Sequence, residues 1–178
     1  MLRALTRLAI PLLLATALLT ACGAGPSGDP RGVEATPGPS PTWTPSGSVD
    51  LADPEQYAAA LEEGVNAARA QRDVPPVEHD ECLAAVAVER AGALIGAPKL
   101  VHAPLEPVQE TCPGSAFAAE NLSRTDQPPQ DVVQAWIDSP SHRENLVDPE
   151  LLRGAIGCVR AGGTPAMPLL TCSHVFLG

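Results

Sequence analysis

The chain has 178 residues and a formal net charge of −10, with 21 acidic residues against 11 Lys and Arg. Nucleic-acid backbones are bound by clustered Lys and Arg, so an acidic chain without a basic patch is not expected to bind them. Hydrophobic residues reach 44% but aromatic residues only 3%. The length suits one domain with an appendage, and its core must consist largely of small aliphatic side chains.

The N-terminus has the pattern of a secretion signal. Arg3 and Arg7 precede an apolar run at residues 8–19, which is too short to cross a bilayer but fits a signal-peptide core. Residues 19–22, Leu-Thr-Ala-Cys, resemble the bacterial lipobox, in which the Cys is lipidated. We therefore predict a lipoprotein signal at residues 1–21 and a lipid anchor on Cys22, which would hold the protein on the extracytoplasmic side of the cell membrane. The alternative is an ordinary secretory signal with an incidental Cys.

Residues 22–48 are predicted to form a tether. Sixteen of the 26 residues from 23 to 48 are Pro, Gly or Ser, and such a segment buries too little apolar surface to offset its ordering entropy. Its prolines favour an extended, semi-stiff spacer. Trp43 stands alone in it, and we expect this side chain to be solvated; the alternative is that it docks on the domain or at the membrane interface. The folded domain is then residues 49–178, which is long enough for a single core.

Helices are predicted in the first half of the domain. Asp53 is followed by Pro and Glu, which is typical of a helix N-terminus, and apolar residues at helical spacing continue to about Arg69. A second helix is predicted to begin near Asp80 and to end at Gly96. The stretch at residues 99–119 is expected to be irregular.

Strands dominate the prediction for the second half. A short strand at residues 116–122 is followed by a helix that begins at Pro128, and Ser139 is expected to cap a further short helix. Paired strands are predicted at 155–159 and 169–176, around a Gly-Gly turn. Helices first and strands mostly last indicate an α+β fold.

Four cysteines remain beyond the lipobox, and four allow three disulfide pairings. Cys158 and Cys172 lie on the two strands of the predicted hairpin, so we expect them to pair, which leaves Cys82 with Cys112. Disulfides persist outside the cytoplasm. A metal site built from these cysteines is not expected, because no C-x-x-C spacing occurs.

Several stretches, in order, resemble the CAP superfamily of cysteine-rich secretory proteins, antigen 5 and plant pathogenesis-related proteins of class 1. These are Asn-Ala-Ala-Arg at 66–69 with Val-Pro-Pro-Val at 74–77, a lone His at 102, Ala-Glu-Asn-Leu at 119–122, Trp-Ile-Asp-Ser-Pro-Ser-His-Arg-Glu-Asn-Leu at 136–146, and the closing strands near 154–159 and 175–176. Each stretch alone is weak, but their order over about residues 50–178 is specific. The resemblance implies a disulfide-stapled, three-layer α-β-α sandwich.

The resemblance also implies a shallow cleft with two His and one or two Glu, which in several members hold a divalent ion. The residues that match here are His102, Glu120 and His142. The family's second Glu falls on Ser139, which leaves at most three ligands unless neighbouring Asp138 substitutes. Two imidazoles and a carboxylate suit Zn²⁺ or another divalent cation, but they can equally form a hydrogen-bonded polar cluster without metal.

Other polar residues and motifs give no catalytic assignment. No G-x-S-x-G, H-E-x-x-H or P-loop sequence is present. His79 and His174 have no assignable partner and are expected to be structural. Asn66 and Arg69 lie on the polar face of the first helix, where solvation or a structural hydrogen bond is the default.

These observations predict a monomeric surface lipoprotein whose CAP domain acts by binding a lipid, an envelope component or a protein. The resemblance implies lipid or sterol binding in some eukaryotic members. The alternatives are a metal-dependent cell-envelope hydrolase and a structural envelope protein. A hydrolase requires His102, Glu120 and His142 to converge on one open cavity with room for a water. A lipid binder requires an apolar groove beside them.

Overall fold

The computed structural model describes residues 43–178. Its elements are α1 (Pro54–Ala70), β1 (Glu78–His79), α2 (Glu81–Ala93), α3 (Glu106–Thr111), β2 (Ala118–Thr125), α4 (Pro129–Asp138), α5 (Pro140–Val147), β3 (Arg153–Gly163) and β4 (Pro168–Leu177). The predicted signal peptide, Cys22 and most of the tether lie outside the described residues. Within 43–178, no helix has the length and apolarity needed to cross a membrane.

The first two helices begin at the predicted caps. The Asp53 carboxylate accepts hydrogen bonds from the N–H groups of Glu55 and Gln56, and Asp80 accepts one from Leu83 N–H at 3.0 Å. These bonds satisfy backbone donors that have no partner within the helix. The starts of α1 and α2 are therefore confirmed.

Four strands form one sheet in the order β1-β3-β4-β2. β3 and β4 form the predicted antiparallel hairpin, and β2 pairs antiparallel with the other side of β4. The Gly162-Gly163 pair, predicted as the turn, instead ends β3 and pairs with Leu169 and Pro168, and its φ angles of 148° and 76° favour glycine. The chain turns just beyond it, at residues 164–167. β1 pairs in parallel with β3 over two residues only, too few for the sequence to predict.

Helices cover both faces of this sheet. Along β3 and β4, successive side chains point to opposite faces, so each strand contributes to two cores. The core on the α1, α4 and α5 side includes Ile156, Cys158, Leu170, Cys172 and Phe176. The core on the α2 and α3 side includes Ala155, Val175 and Leu177. The predicted α-β-α sandwich is confirmed.

Two local expectations were wrong. Residues 99–119 contain α3, where Pro107 lies in the first turn and Val108 is buried against the α2 side of the core. One buried apolar residue in six gives no periodicity to detect. Trp43 is not fully solvated, because it packs against the α1–α4 core, over Gly64, where an added Cβ would lie 2.6 Å from the indole ring.

Both predicted disulfides are present. Cys82 and Cys112 have Cα atoms 5.9 Å apart, and their bond ties the start of α2 to the end of α3. Cys158 and Cys172 are cross-strand neighbours in the hairpin, with Cα atoms 4.1 Å apart. The Cys158–Cys172 bond joins strands that the sheet already pairs, and the Cys82–Cys112 bond joins helices that already pack in the core on the α2 and α3 side.

Candidate functional site

The centre of the candidate site is Glu120 on β2, which is buried and accepts four hydrogen bonds. Oε1 accepts from Arg90 Nε at 2.6 Å and from Ser173 Oγ at 2.7 Å. Oε2 accepts from Arg90 Nη2 at 3.0 Å and pairs with His102 Nδ1 at 2.8 Å. We call these four residues the Glu120 network. Since an ionised carboxylate only accepts, His102 Nδ1 carries the proton in this bond.

The Glu120 network keeps its carboxylate charged. Burial by itself would raise the pKa of Glu120, but the hydrogen bonds from Arg90, His102 and Ser173 outweigh it, and the pKa is lowered. Arg90 also donates to the carbonyls of Ala103 and Pro104. It therefore fixes the irregular segment that carries His102.

Arg90 and Ser173 are the members of the network that the sequence did not reveal. Arg90 lies in α2, 30 residues before Glu120, and a lone cation on a helix normally indicates an exposed face. The available signal was indirect, because a buried Glu requires compensating donors. Ser173 lies on β4, where a small polar residue gives no indication of its partner.

The structure brings two of the three predicted cleft residues into direct contact. His102 touches Glu120, and the His102 side chain is 54% exposed. His142, on α5, is half-buried and faces a neighbouring groove. Burial and, secondarily, the charge of His102 lower the pKa of His142, so its imidazole is neutral at neutral pH. His142 thus interacts with the network electrostatically and not as a third partner of Glu120.

This arrangement does not fit a metal centre. Within residues 43–178, three candidate ligand atoms lie within 4.8 Å of one another only at Asp80, Cys82 and Cys112, and those two cysteines form a disulfide. The ligand atoms of His102, Glu120 and His142 do not all lie that close to one another. A divalent ion at Glu120 would also have to displace Arg90, which already supplies a positive charge to both carboxylate oxygens.

An apolar groove of about 370 Å³ lies beside the network, between β2 and α4. We call it the Trp136 groove. Its apolar lining comes from Leu100, Leu122, Val132, Ala135 and Trp136. Polar side chains, including Arg124, Asp131 and His142, complete its wall. Glu120 instead lines a separate pocket with Arg90.

Two asparagines of the recognised motifs position His142. Asn121 is fully buried on β2, and its Nδ2 donates to the carbonyl of His142 at 3.0 Å. Asn145 Nδ2 donates to Asn121 Oδ1 at 2.9 Å and to the Glu120 carbonyl at 3.3 Å. These bonds hold α5 against β2, so the motif places His142 at the groove through backbone contacts.

The remaining polar motif residues are structural. Asn66 exchanges two hydrogen bonds with the backbone of Val77, at 3.1 and 2.8 Å. His79 Nδ1 lies 2.9 Å from Glu62 Oε2. His174 is 1% exposed and its ring centroid lies 3.6 Å from that of Phe176. Burial, then the charge of Arg69, lowers the His174 pKa well below its usual value.

The architecture and the clustered motif residues define an α-β-α domain with two disulfides. The family model described as "CAP: Cysteine-rich secretory protein family" matches residues 63–175. The chain belongs to this family.

Known proteins with similar sequence or fold come from several bacteria. The chain is 25% identical over 112 residues to the uncharacterized protein YkwD of Bacillus subtilis (strain 168), which covers 60% of this chain and 44% of YkwD. The chain thus spans less than half of that relative.

Solved structures show the same fold at low identity. An extracellular protein containing an SCP domain from Bacillus anthracis has a TM-score of 0.56 at 17% identity, covering 74% of this chain and 45% of that one. An outer surface protein of Borrelia burgdorferi has a TM-score of 0.56 at 24% identity, and the match covers 70% of this chain and 94% of that one. A cysteine-rich secretory protein of Staphylococcus aureus has a TM-score of 0.60 at 16% identity, and the match covers 70% of this chain and 39% of that one. These identities support the fold alone.

Proposed function

We propose that this chain is an extracytoplasmic lipoprotein whose CAP domain acts by binding an acyl-bearing ligand in the Trp136 groove. The observation that carries the proposal is the pairing of an open apolar groove with a neighbouring charged network that is already saturated. Cofactor and ligand sites are typically concave and mostly apolar, with a few placed polar groups. Here Arg124, Asp131 and the neutral His142 are those polar groups.

The location rests on the N-terminal signal and on the names of similar proteins. Those proteins are described as extracellular, outer surface or secretory, and the Leu-Thr-Ala-Cys sequence ends at Cys22. Two or more acyl chains hold a protein stably on a membrane, whereas one does not. Cys22→Ala should release the protein from the membrane fraction or block its processing. A Cys22→Ala protein that fractionates with membranes as wild type does would refute the anchor.

The two alternatives find less support in the geometry. A metal-dependent hydrolase would need Glu120 free to bind an ion or activate water, and four hydrogen bonds already occupy its oxygens. A purely structural envelope protein has no need of an open apolar groove. Binding requires neither a metal nor a catalytic residue, and we assign none.

The test is equilibrium binding of a fluorescent palmitate analogue to the full-length chain in detergent. Ala135 is exposed and lines the groove, so Ala135→Trp should fill it and weaken binding about tenfold or more. Ala70→Trp, at the exposed end of α1, is the matched control and should bind as wild type does. Adding a chelator should change nothing. No binding by wild type, or equal binding by both variants, would remove the proposal.

A further inference from the structure

Beyond Gly154, the β3 edge of the sheet has no neighbouring strand within residues 43–178. β1 covers this edge only where it pairs with Arg153 and Gly154. The Cα separation of 4.1 Å between Cys158 and Cys172 marks a pair without direct backbone hydrogen bonds, so the N–H and C=O of Cys158 point away from β4. Ile156 has the same orientation, because its N–H donates to Glu62 Oε1 at 2.7 Å.

The other edge of the sheet, on β2, is closed by side chains. Asn145 Nδ2 donates to the Glu120 carbonyl at 3.3 Å, and Trp136 Nε1 donates to the Leu122 carbonyl at 3.2 Å. On β3, Glu62 is the corresponding side chain at Ile156. Within residues 43–178, no side chain forms a hydrogen bond to the backbone of Cys158. Unpaired edge groups of this kind are a template for another strand.

A groove of about 690 Å³ runs along this open edge, between α1 and α2. We call it the β3-edge groove. Its floor is Ile156 to Cys158, and its walls carry small side chains such as Ala58, Ala85 and the 46% exposed Val88. Gly157 lets the α2 backbone pack directly against β3 on one side of the groove, since a Cβ there would lie 2.1 Å from the Val88 nitrogen. An added strand would therefore meet backbone groups and shallow apolar pockets.

The rim of the groove is acidic. Glu55, Glu62 and Glu81 line it, and the Glu81 side chain is 95% exposed. His79 is the basic side chain of the lining, and it is already bonded to Glu62 at 2.9 Å. A partner with Lys or Arg side chains complements this rim, and charge complementarity selects partners and speeds their encounter.

We infer that the β3-edge groove binds an extended, basic peptide segment, which adds as a fifth strand beside β3. Strand addition of this kind draws affinity from main-chain hydrogen bonds and specificity from pockets for alternate side chains. The site lies at the opposite sheet edge from the Trp136 groove and does not depend on ligand binding there.

The first test uses fluorescein-labelled peptides and the full-length chain in detergent, with anisotropy as the readout. The probe is an acetylated and amidated Lys-Val-Lys-Val-Lys-Val peptide. One control replaces Lys with Glu, and the other carries N-methyl groups on alternate backbone nitrogens. The probe should bind, and each control should bind about tenfold more weakly. Binding of the N-methylated peptide equal to that of the probe would overturn strand addition.

The second test uses variants of the groove. Glu81→Lys should weaken probe binding severalfold, whereas Glu110→Lys, an equal charge change on exposed α3, should not. Ala85→Trp should block the groove, with thermal unfolding as the check that it folds. Hydrogen exchange at the Cys158 amide should slow when the probe is added. Unchanged exchange at Cys158, or equal effects of the two Lys variants, would overturn the site. Sedimentation showing dimers that exclude the probe would assign the edge to a second copy instead.

Discussion

Two arginines withdrawn from solvent, Arg69 and Arg90, are compensated in opposite ways. Arg69 is 0% exposed, and its donors meet only backbone carbonyls, those of Pro75, Leu146, Asp148 and Leu151. Arg90 pairs with the Glu120 carboxylate, beside the exposed ring of His102. The Arg69 arrangement joins four separate backbone positions and is shut off from solvent. The Arg90 arrangement keeps a charged carboxylate next to a solvent-exposed ring, as a binding site requires.

The difference also shows that burial of a charge does not identify function. Burial lowers the pKa of Arg69, partly offset by Asp148, yet nothing outside the protein can reach its guanidinium. What distinguishes the Glu120 network is access through His102. Four predictions test this contrast, from the largest expected effect to the smallest.

Replacing Arg69 should have the largest effect. Arg69→Met leaves four carbonyls without their donors, and at about 1 kcal/mol or more for each, unfolding free energy should fall by at least about 4 kcal/mol. The matched control is Arg72→Met, since Arg72 is exposed and makes one local bond to the Ala68 carbonyl. Urea unfolding of the full-length chain measures both. A loss under about 1 kcal/mol for Arg69→Met would contradict the structural role of Arg69 as the donor to these four carbonyls.

Removing the Cys82–Cys112 disulfide should come next. The double change to Ser opens a loop with a sequence separation of 30, which costs roughly 3 to 4 kcal/mol by chain entropy. The loop carries His102, so protease cleavage within 99–111 should also rise. If protease cleavage rose equally around Arg69, loss of the disulfide would destabilise both the 99–111 segment and the region around Arg69, and the two would not unfold independently. Non-reduced peptide mapping verifies the bridge in wild type.

Glu120→Gln should cost about 2 kcal/mol at pH 7, because it leaves Arg90 without a counter-charge. The folded pKa of Glu120 is below its usual 4.5. Its contribution to stability is therefore complete above that value and is lost as pH falls through the lowered folded pKa. Unfolding curves from pH 7 to 3 should show a shallower acid decline for Glu120→Gln. Parallel curves for variant and wild type would show that Glu120 is not held ionised by the network.

His102→Ala should change stability least, by about 0.5 kcal/mol or less, because the side chain is half exposed. Its informative effect is on His142, whose pKa is lowered first by burial and then by His102. Removing His102 should raise the His142 pKa part of the way toward 6.5 in an NMR titration. An unchanged His142 pKa would mean that the two rings do not sense each other.

The sequence predicted elements whose signals are local. Asp53 and Asp80 mark the starts of their helices through capping chemistry. The Gly-Gly pair at 162–163 indicates the hairpin that pairs Cys158 with Cys172, although it ends β3 and the turn follows at 164–167. α3 and β1 escaped prediction because six and two residues are stabilised by what they pack against, and neither carries a period of its own.

The candidate site was predictable only in part, for a related reason. His102 and Glu120 followed from the family resemblance, which depends on motifs along the chain. Arg90 and Ser173 reach Glu120 from 30 and 53 residues away, and no local pattern reports contacts over such separations. The positions that decide whether Glu120 is free or saturated are therefore the ones that required a structure.

The packing of Trp43 over Gly64 determines where a force on the proposed anchor would reach the folded domain. Twenty residues separate Cys22 from Trp43, so a leash fixed at Cys22 can reach about 70 Å at full extension. A force applied through the tether would act on the contact between the Trp43 ring and α1 before it acts on the sheet. A pull on the proposed anchor would therefore be resisted first by the packing of Trp43 over Gly64, and detaching this one side chain would load the connection to α1 before the sheet.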